Sequence, residues 1–182
     1  MSVAEFVAWP GDGSGAKFEL VDGEPRAMAP ASVTHGLIQA NLARLLGTHL
    51  ADTLCHVVVA PGVIPRVRAG FNFRIPDLAV NCAADAAAQN ALPDPILIVE
   101  ILSPGSEAET RENVWACATI RSVSEILLVG STDRRGTVEA SSGRHLASRA
   151  SAPDGRGRGY GLASLDFSSP LAAFYRDTYL TG

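Results

Sequence analysis

The stretch that most constrains the fold is an almost unbroken apolar run, Pro95–Leu102 (PILIVEIL). With the period of two that a β-strand imposes, both faces of this run are apolar except for Glu100. A strand that is apolar on both faces is typical of the centre of a sheet that helices cover on each side. An ionised carboxylate is costly there unless it is paired, hydrogen-bonded or bound to a metal. We therefore expect Glu100 to have a partner.

A second acid lies in a comparable setting, in residues 71–82 (FNFRIPDLAVNC). Asp77 follows Pro76, and proline removes a ladder donor, which places this stretch at an edge, a strand start or a bulge. Two adjacent strands would bring Asp77 and Glu100 together. A hard divalent cation, held by one or two carboxylates plus water, relieves their repulsion and can activate a water. The alternative is structural: Asp77 caps a turn, and Glu100 pairs with a buried arginine, for which Arg74 is the candidate.

The rest of the chain alternates helical and strand-like patterns. A short first helix is predicted at residues 2–9, and a hairpin at 17–28 turns at Asp22-Gly23. The main helices are predicted at 33–51 and 107–120, the second with a capping box of Ser106 and Glu109. Strands are predicted at 55–59, 62–67 and 124–130, and a last short helix at 169–180.

Two further polar residues are site candidates, and each has an ordinary alternative. Glu19 lies in the hairpin, where an isolated glutamate is more often a solvent-facing strand residue. His35 lies in the first turn of the main helix, where it can orient a phosphate or a carboxylate. Its alternative role is a hydrogen bond at the start of the helix.

The order of these pieces resembles a known family. The hairpin ELVDGE, His35 opening a helix, IPDLAV and ILIVEILSPGS are similar to small bacterial restriction-endonuclease-like proteins, relatives of the PD-(D/E)XK nucleases. The resemblance implies an α/β fold, a restriction-endonuclease-like mixed β-sheet flanked by helices, in one domain over residues 1–182. It implies a DNA endonuclease that uses Mg²⁺ or Mn²⁺. Asp77 and Glu100 are its expected metal ligands, with the Ile101 carbonyl as a third, and Glu19 and His35 its further site residues.

One feature of the general motif is missing. The residue two positions after the glutamate is a lysine in that motif, whereas this chain has Leu102. In this branch the lysine usually lies in the following helix, and an ungapped count places that position at Val114. Arg111, one turn earlier, could supply charge but not act as a base, because arginine does not readily lose its proton. The chain's only lysine is Lys17. A binding or interaction module of the same fold is therefore the alternative function.

The amino-acid composition and net charge limit the partners that the protein can bind. The 182 residues are 47% hydrophobic, which suits one domain with a substantial core. The formal net charge of −4 means that any contact with DNA needs a local patch or a bridging metal. The polar, arginine-containing region after residue 131 favours a solvated hairpin over a phosphate-binding segment. An edge strand with proline leaves room for a homodimer contact.

The same composition bears on the compartment and on structural cross-links. The cysteines are far apart and form no CxxC pair, which predicts neither a zinc site nor a disulfide. No run is long and apolar enough for a membrane span, and we expect a cytoplasmic protein that contacts no membrane.

Overall fold

The computed structural model describes residues 1–83, 89–105, 107–141, 146–149 and 159–181. Its elements in chain order are α1 Val3–Ala8, β1 Phe18–Val21, β2 Glu24–Ala27, α2 Val33–His49, β3 His56–Val59, β4 Leu78–Asn81, β5 Pro95–Leu102, α3 Glu107–Cys117, β6 Glu125–Gly130, β7 Gly136–Ser141, β8 Leu146–Arg149, β9 Gly159–Leu162, β10 Phe167–Pro170 and α4 Leu171–Phe174.

A six-stranded sheet in the order β3-β4-β5-β6-β7-β8 forms the centre of the fold. The β5–β6 pair is parallel and the other pairs are antiparallel, so the sheet is mixed. Helix α3 makes the crossover that a parallel pair requires. The hairpins β1–β2 and β9–β10 form two small separate sheets. The predicted α/β architecture, a mixed sheet flanked by helices, is confirmed.

The central position of β5 is confirmed by its burial on both faces. Leu97 and Val99 belong to the apolar cluster that includes Leu42 of α2. Ile98, on the other face, belongs to a second cluster with Val114 of α3. Each of these buried aliphatic side chains contributes roughly 1.5–3 kcal/mol of transfer free energy. The two clusters fix the α2 and α3 helices on opposite faces of the strand that carries Glu100.

Several predicted elements are wrong or too long. The helix predicted at 169–180 covers only Leu171–Phe174, because Ser169 and Pro170 pair with β9 as the end of strand β10. Residues 62–67 do not form a strand: Val63 makes an isolated bridge to Arg74, and Pro65 has no amide hydrogen to extend a ladder. Helix α3 ends at Cys117, three residues before the predicted end. The hydroxyl of Thr119 donates to the Ala116 carbonyl at 2.6 Å, and such a local bond competes with helix continuation.

The expectation of no disulfide is also wrong. The β3–β4 ladder pairs His56 with Asn81, and the residues just beyond this pair, Cys55 and Cys82, are joined by a disulfide. Spacing along the sequence did not reveal the pair because the strand pairing creates it. Cys117 is free and buried, and burial raises the pKa of its thiol well above the usual range.

Some expectations fall on residues outside the described ranges. Ser106 of the predicted capping box is one of them, and so is much of the arginine-containing segment after residue 141. Among the described helices, none combines the length and apolar character needed to cross a bilayer.

Candidate active site

The two acids that the sequence singled out lie on neighbouring strands at matching positions. The antiparallel β4–β5 ladder pairs Leu78 with Val99. Continued by one residue, this register places Asp77 opposite Glu100. Side chains of directly opposed residues project from the same face of a sheet. The pairing predicted for these carboxylates is therefore what the strands produce.

Asp77 is positioned by contacts from two elements, α2 and β5. His35 of α2 places Nε2 at 2.8 Å from Asp77 Oδ1, and the Ile101 backbone amide donates to Oδ2 at 2.6 Å. The Gln39 side chain donates to the Asp77 carbonyl at 2.8 Å. Because an ionised carboxylate only accepts, Nε2 carries the proton, and Nδ1 lies 3.3 Å from the Ser103 hydroxyl. Each Asp77 oxygen keeps a lone pair for a further ligand.

His35 therefore has both of the roles considered from the sequence. Its ring contacts Asp77, and its backbone amide donates to the Ser32 hydroxyl at 3.2 Å at the start of α2. The helix start thus fixes the backbone of the residue whose ring orients the carboxylate.

Glu100 is only 6% exposed. Among the described residues its Oε1 is buried and has no hydrogen-bond partner. Burial raises the pKa of Glu100 well above its usual range, and the charges of Asp77 and Glu19 raise it further, while a hydrogen bond from the Asp77 backbone and the charge of Arg74 lower it. The ion pairs of Arg74 are with Glu19 and Glu112 and do not include Glu100. This unsatisfied carboxylate is the feature of the site that most favours binding of a cation.

Glu19 faces the inside of the site. Its side chain is 12% exposed, and Arg74 Nη1 donates to its Oε1 at 3.5 Å. Asn113 of α3 links the two, since its amide donates to Glu19 Oε2 at 3.4 Å and its oxygen accepts from Arg74 Nη1 at 2.6 Å. Burial raises the pKa of Glu19, while Arg74 and Asn113 lower it. The solvent-facing alternative for Glu19 is wrong.

The side chains of Glu19, His35, Arg74, Asp77 and Glu100 line one cavity of about 720 Å³. The β1–β2 hairpin forms one side of it, with Lys17 and Arg26 in the lining, and α3 contributes Glu112. Exposed cations therefore lie towards solvent, while the carboxylates of Asp77 and Glu100 lie deeper. A cavity with this charge arrangement suits an anionic group whose charge is neutralised at the inner end by a metal.

The donor set decides which metals the site suits. Among the described residues, no group of three or more His, Cys, Asp or Glu side chains is arranged to hold a metal ion. Zinc prefers such a set, whereas Mg²⁺ commonly uses one or two carboxylates and completes its shell with water and substrate phosphates. Asp77 has free lone pairs, and Glu100 has an oxygen without a partner. The residues present therefore fit Mg²⁺ or Mn²⁺.

The sequence reasoning missed the polar partners of the two acids. Arg74 entered only as a possible partner of Glu100, and Gln39, Ser103 and Asn113 were not singled out. Their side chains are ordinary in sequence, and only the tertiary contacts give them a place in the site. A buried arginine three residues before Asp77 is the one sequence signal that pointed to this network.

Comparison with known proteins shows to which protein family the chain is related. Residues 3–151 match the model of the Uma2 family, which is described as "Putative restriction endonuclease". The chain belongs to the Uma2 family. An uncharacterized protein of Synechocystis sp. (strain ATCC 27184 / PCC 6803 / Kazusa) is 31% identical over 112 residues, which make up 61% of this chain and 58% of that protein. The match thus spans little more than half the length of that relative.

A solved structure shows the same fold. The crystal structure of a putative nuclease belonging to DUF820, from Anabaena variabilis ATCC 29413, superposes with a TM-score of 0.75 at 15% sequence identity, covering 96% of this chain and 97% of that one. The restriction-endonuclease-like fold that the sequence resemblance implied is therefore shown.

This Uma2 chain has no lysine at either position that the resemblance implied. Val114 is 5% exposed and lies in the apolar cluster with Ile98. Ile98 precedes Glu100 by two residues and lies on the same face of β5. Arg111 is exposed and is not part of the cavity lining, so it does not supply the missing charge. The cation nearest to this role is Arg74, which is buried and whose charge acts on Glu100.

Proposed function

We propose that this protein is a metal-dependent endonuclease that hydrolyses phosphodiesters of DNA, with Mg²⁺ or Mn²⁺ as cofactor. The observation that carries the proposal is the pair of opposed carboxylates, Asp77 and Glu100, at the inner end of the cavity, one of them with a buried oxygen that lacks a partner. The description of the Uma2 family as "Putative restriction endonuclease" supports the same chemistry.

Asp77, Glu100 and the Ile101 carbonyl are the groups that would hold the metal. When bound, Mg²⁺ or Mn²⁺ supplies charge neutralisation at the phosphate and a more acidic water. His35 and the Ile101 amide keep Asp77 in one orientation, and such outer contacts commonly change metal affinity by about 10- to 100-fold. Arg74 adds a fixed positive charge beside this pair, and Glu19 forms an ion pair with Arg74.

Neither Leu102 nor Val114, at the two positions where the resemblance implies a lysine, can accept a proton from water. Arg74 stays protonated and can stabilise negative charge, but it cannot take a proton from water. Glu19, which is outside the proposed ligand set and whose pKa is raised by burial, is a candidate proton carrier in the cavity. Hydrolysis should therefore be slow compared with an enzyme that has a dedicated base.

The alternative function is a binding or interaction module of the same fold. The burial of Val114 in an apolar cluster favours it, because this position offers neither a charge nor a proton carrier to the carboxylates. Such a module would keep the metal and the nucleic acid contact without turnover.

A plasmid-nicking assay with Mg²⁺ and with Mn²⁺ tests the proposal. We expect Mn²⁺-dependent conversion of supercoiled plasmid to the nicked form, reduced about 100-fold or more in Asp77→Asn, which loses a metal ligand. Asp177→Asn, at an exposed aspartate outside the cavity lining, is the matched control and should keep the wild-type rate. Equal nicking by the wild type and Asp77→Asn would reject the assignment.

A further inference from the structure

One carboxylate at the cavity lies between two arginines. Glu112 of α3 places Oε2 at 3.2 Å from Nη1 of Arg26, on β2, and Oε1 at 3.5 Å from Nη2 of Arg74. The arginines come from elements far apart in sequence and converge on a single acidic side chain. All three residues line the cavity that contains Asp77 and Glu100.

The contacts of Glu112 are loose enough to be replaced. Charge-assisted hydrogen bonds between guanidinium and carboxylate groups typically measure about 2.7–2.9 Å, and both contacts of Glu112 are longer. The side chains of Arg26 and Glu112 are 49% and 41% exposed, whereas that of Arg74 is 4% exposed. The Arg26–Glu112 pair is exposed on both sides, and such a pair contributes little to stability, so Arg26 can exchange Glu112 for another anion at low cost.

Arg74 remains fixed when Glu112 moves away. Its Nη1 is bound to Asn113 at 2.6 Å, and its Nη2 also lies 3.3 Å from the Asn72 oxygen. The guanidinium therefore keeps its orientation and exposes Nη2 to any anion that takes the place of Glu112. Guanidinium groups bind carboxylate and phosphate oxygens with the same fork of donors.

We propose that Arg26 and Arg74 form a subsite for a backbone phosphate of nucleic acid, and that Glu112 covers this subsite in the free protein until the phosphate displaces it. The proposal rests on the proposed function, because that function brings a polyanion into this cavity. The subsite receives a phosphate that neighbours the one at Asp77 and Glu100. Lys17, at the same side of the cavity, has no ion-pair partner among the described residues and adds attraction for the strand.

Glu112 therefore competes with other anions for binding to Arg26 and Arg74. A carboxylate held by two arginines lowers the affinity for any other anion at those arginines, and its removal raises that affinity. Anions that make too few contacts with the two arginines cannot displace Glu112. A phosphate within a polymer, held by its neighbours, can make that exchange.

Fluorescence anisotropy with a labelled DNA oligonucleotide tests the subsite. Ca²⁺ replaces Mg²⁺ in the buffer, because it takes the same oxygen ligands, and a parallel series contains chelator instead of metal. We expect Glu112→Gln to bind about two- to fivefold more tightly than the wild type, since one weak ion pair no longer competes. Arg26→Met should bind more weakly, and its salt dependence should lose about one phosphate contact, a slope change of roughly 0.7–0.9.

The double variant makes the test specific. In Arg26→Met the further change Glu112→Gln should give a much smaller gain, because the subsite that Glu112 covers is already incomplete. Asp133→Asn is the matched control: Asp133 pairs with Arg135 at 3.2 Å, is similarly exposed, and lies outside the cavity lining. It changes the net charge by the same amount as Glu112→Gln and should leave binding unchanged.

Three results would overturn the subsite. These are no oligonucleotide binding by the wild type, equal binding by the wild type and Glu112→Gln, and a gain from Glu112→Gln that persists in full without Arg26. Hydrolysis does not enter this measurement, so failure of the subsite is distinct from failure of the proposed endonuclease activity. A protein that nicks plasmid yet shows one of these results keeps the function and loses the subsite.

Discussion

Glu100 and Glu125 are two buried glutamates of the same sheet with opposite surroundings. Glu125, 4% exposed, accepts hydrogen bonds from the backbone amides of Ala163 and Ser164 and from the Ser164 hydroxyl. Glu100 is 6% exposed and has an oxygen without any partner among the described residues. The first contributes to stability through its hydrogen bonds, whereas the second is costly to the fold when it is ionised. A side chain kept at such a cost is best explained by a ligand.

This contrast predicts that Glu100→Gln stabilises the protein at neutral pH. The pKa of Glu100 in the folded protein lies above the unfolded value near 4.5, so the folded state binds more protons and stability falls as pH rises from 4.5 to the folded pKa. Glutamine removes this loss, and the gain should be roughly 1–3 kcal/mol above that window. Urea denaturation without divalent ions, over a series of pH values, measures it.

Glu125→Gln is the control for this prediction. The amide group cannot accept all the hydrogen bonds that the carboxylate accepts, so this variant should be less stable by about 1–3 kcal/mol. Glu100→Gln that is no more stable than the wild type at neutral pH, or a gain that does not shrink towards acidic pH, would contradict this account of Glu100.

At the scale of elements, the predictions succeeded where a single pattern decided the outcome. The apolar run of β5 required a central strand, and the leucine spacing of α2 required a helix on one of its faces. The strand prediction for residues 62–67 is wrong because a strand needs a partner with a matching register, which the sequence does not display. The disulfide was not predicted for the same reason, since the β3–β4 register brings Cys55 to Cys82.

Some residues of the candidate site could be identified from the sequence and others could not. Asp77 and Glu100 could be named from the sequence because acids in apolar strands are rare and each needs an explanation. Arg74 binds Glu19, Glu112 and Asn113, and these contacts join β1, α3 and the segment before β4. Such contacts depend on how elements pack, so no local pattern predicts them.

Helix α3 contains position 114, where the resemblance places the missing lysine. Val114 lies in the cluster with Ile98 and Cys117 on the sheet face of Glu100, and the pKa of Cys117 is raised chiefly by burial and then by the charge of Glu100. A side chain at position 114 therefore lies against the same sheet face as that carboxylate. Arg111, expected on the same face, is exposed instead.

We accordingly predict that Val114→Lys raises Mn²⁺-dependent nicking. An ammonium group beside the carboxylates can stabilise negative charge, and with the lower pKa that burial gives it can assist proton transfer, an effect of about 10²–10⁴-fold. The variant should be less stable than the wild type, because a buried amine replaces an apolar side chain. Initial rates of nicking, with circular dichroism to verify folding, measure both effects.

Val114→Met controls for the change in size, and Val114→Lys combined with Glu100→Gln should lose the gain. A folded Val114→Lys protein that binds Mn²⁺ and is no more active than the wild type would mean that position 114 is not the position of the motif lysine.

At the scale of the whole molecule, the net charge of −4 sets the conditions for any contact with DNA. The surface as a whole repels a polyanion, so attraction has to come from the cavity, where Lys17, Arg26 and a bound divalent ion lie together in the proposed complex. Homodimer formation and a cytoplasmic location stay predictions from the sequence. The proposed activity depends first on binding of a divalent ion by Asp77 and Glu100.

Isothermal titration calorimetry with Mn²⁺ measures this binding without substrate or turnover. We expect saturable binding to the wild type at neutral pH, weakened by about 100-fold or more in Asp77→Asn and unchanged in Asp177→Asn. Absence of binding to the wild type, or equal affinity of the wild type and Asp77→Asn, would reject the metal site.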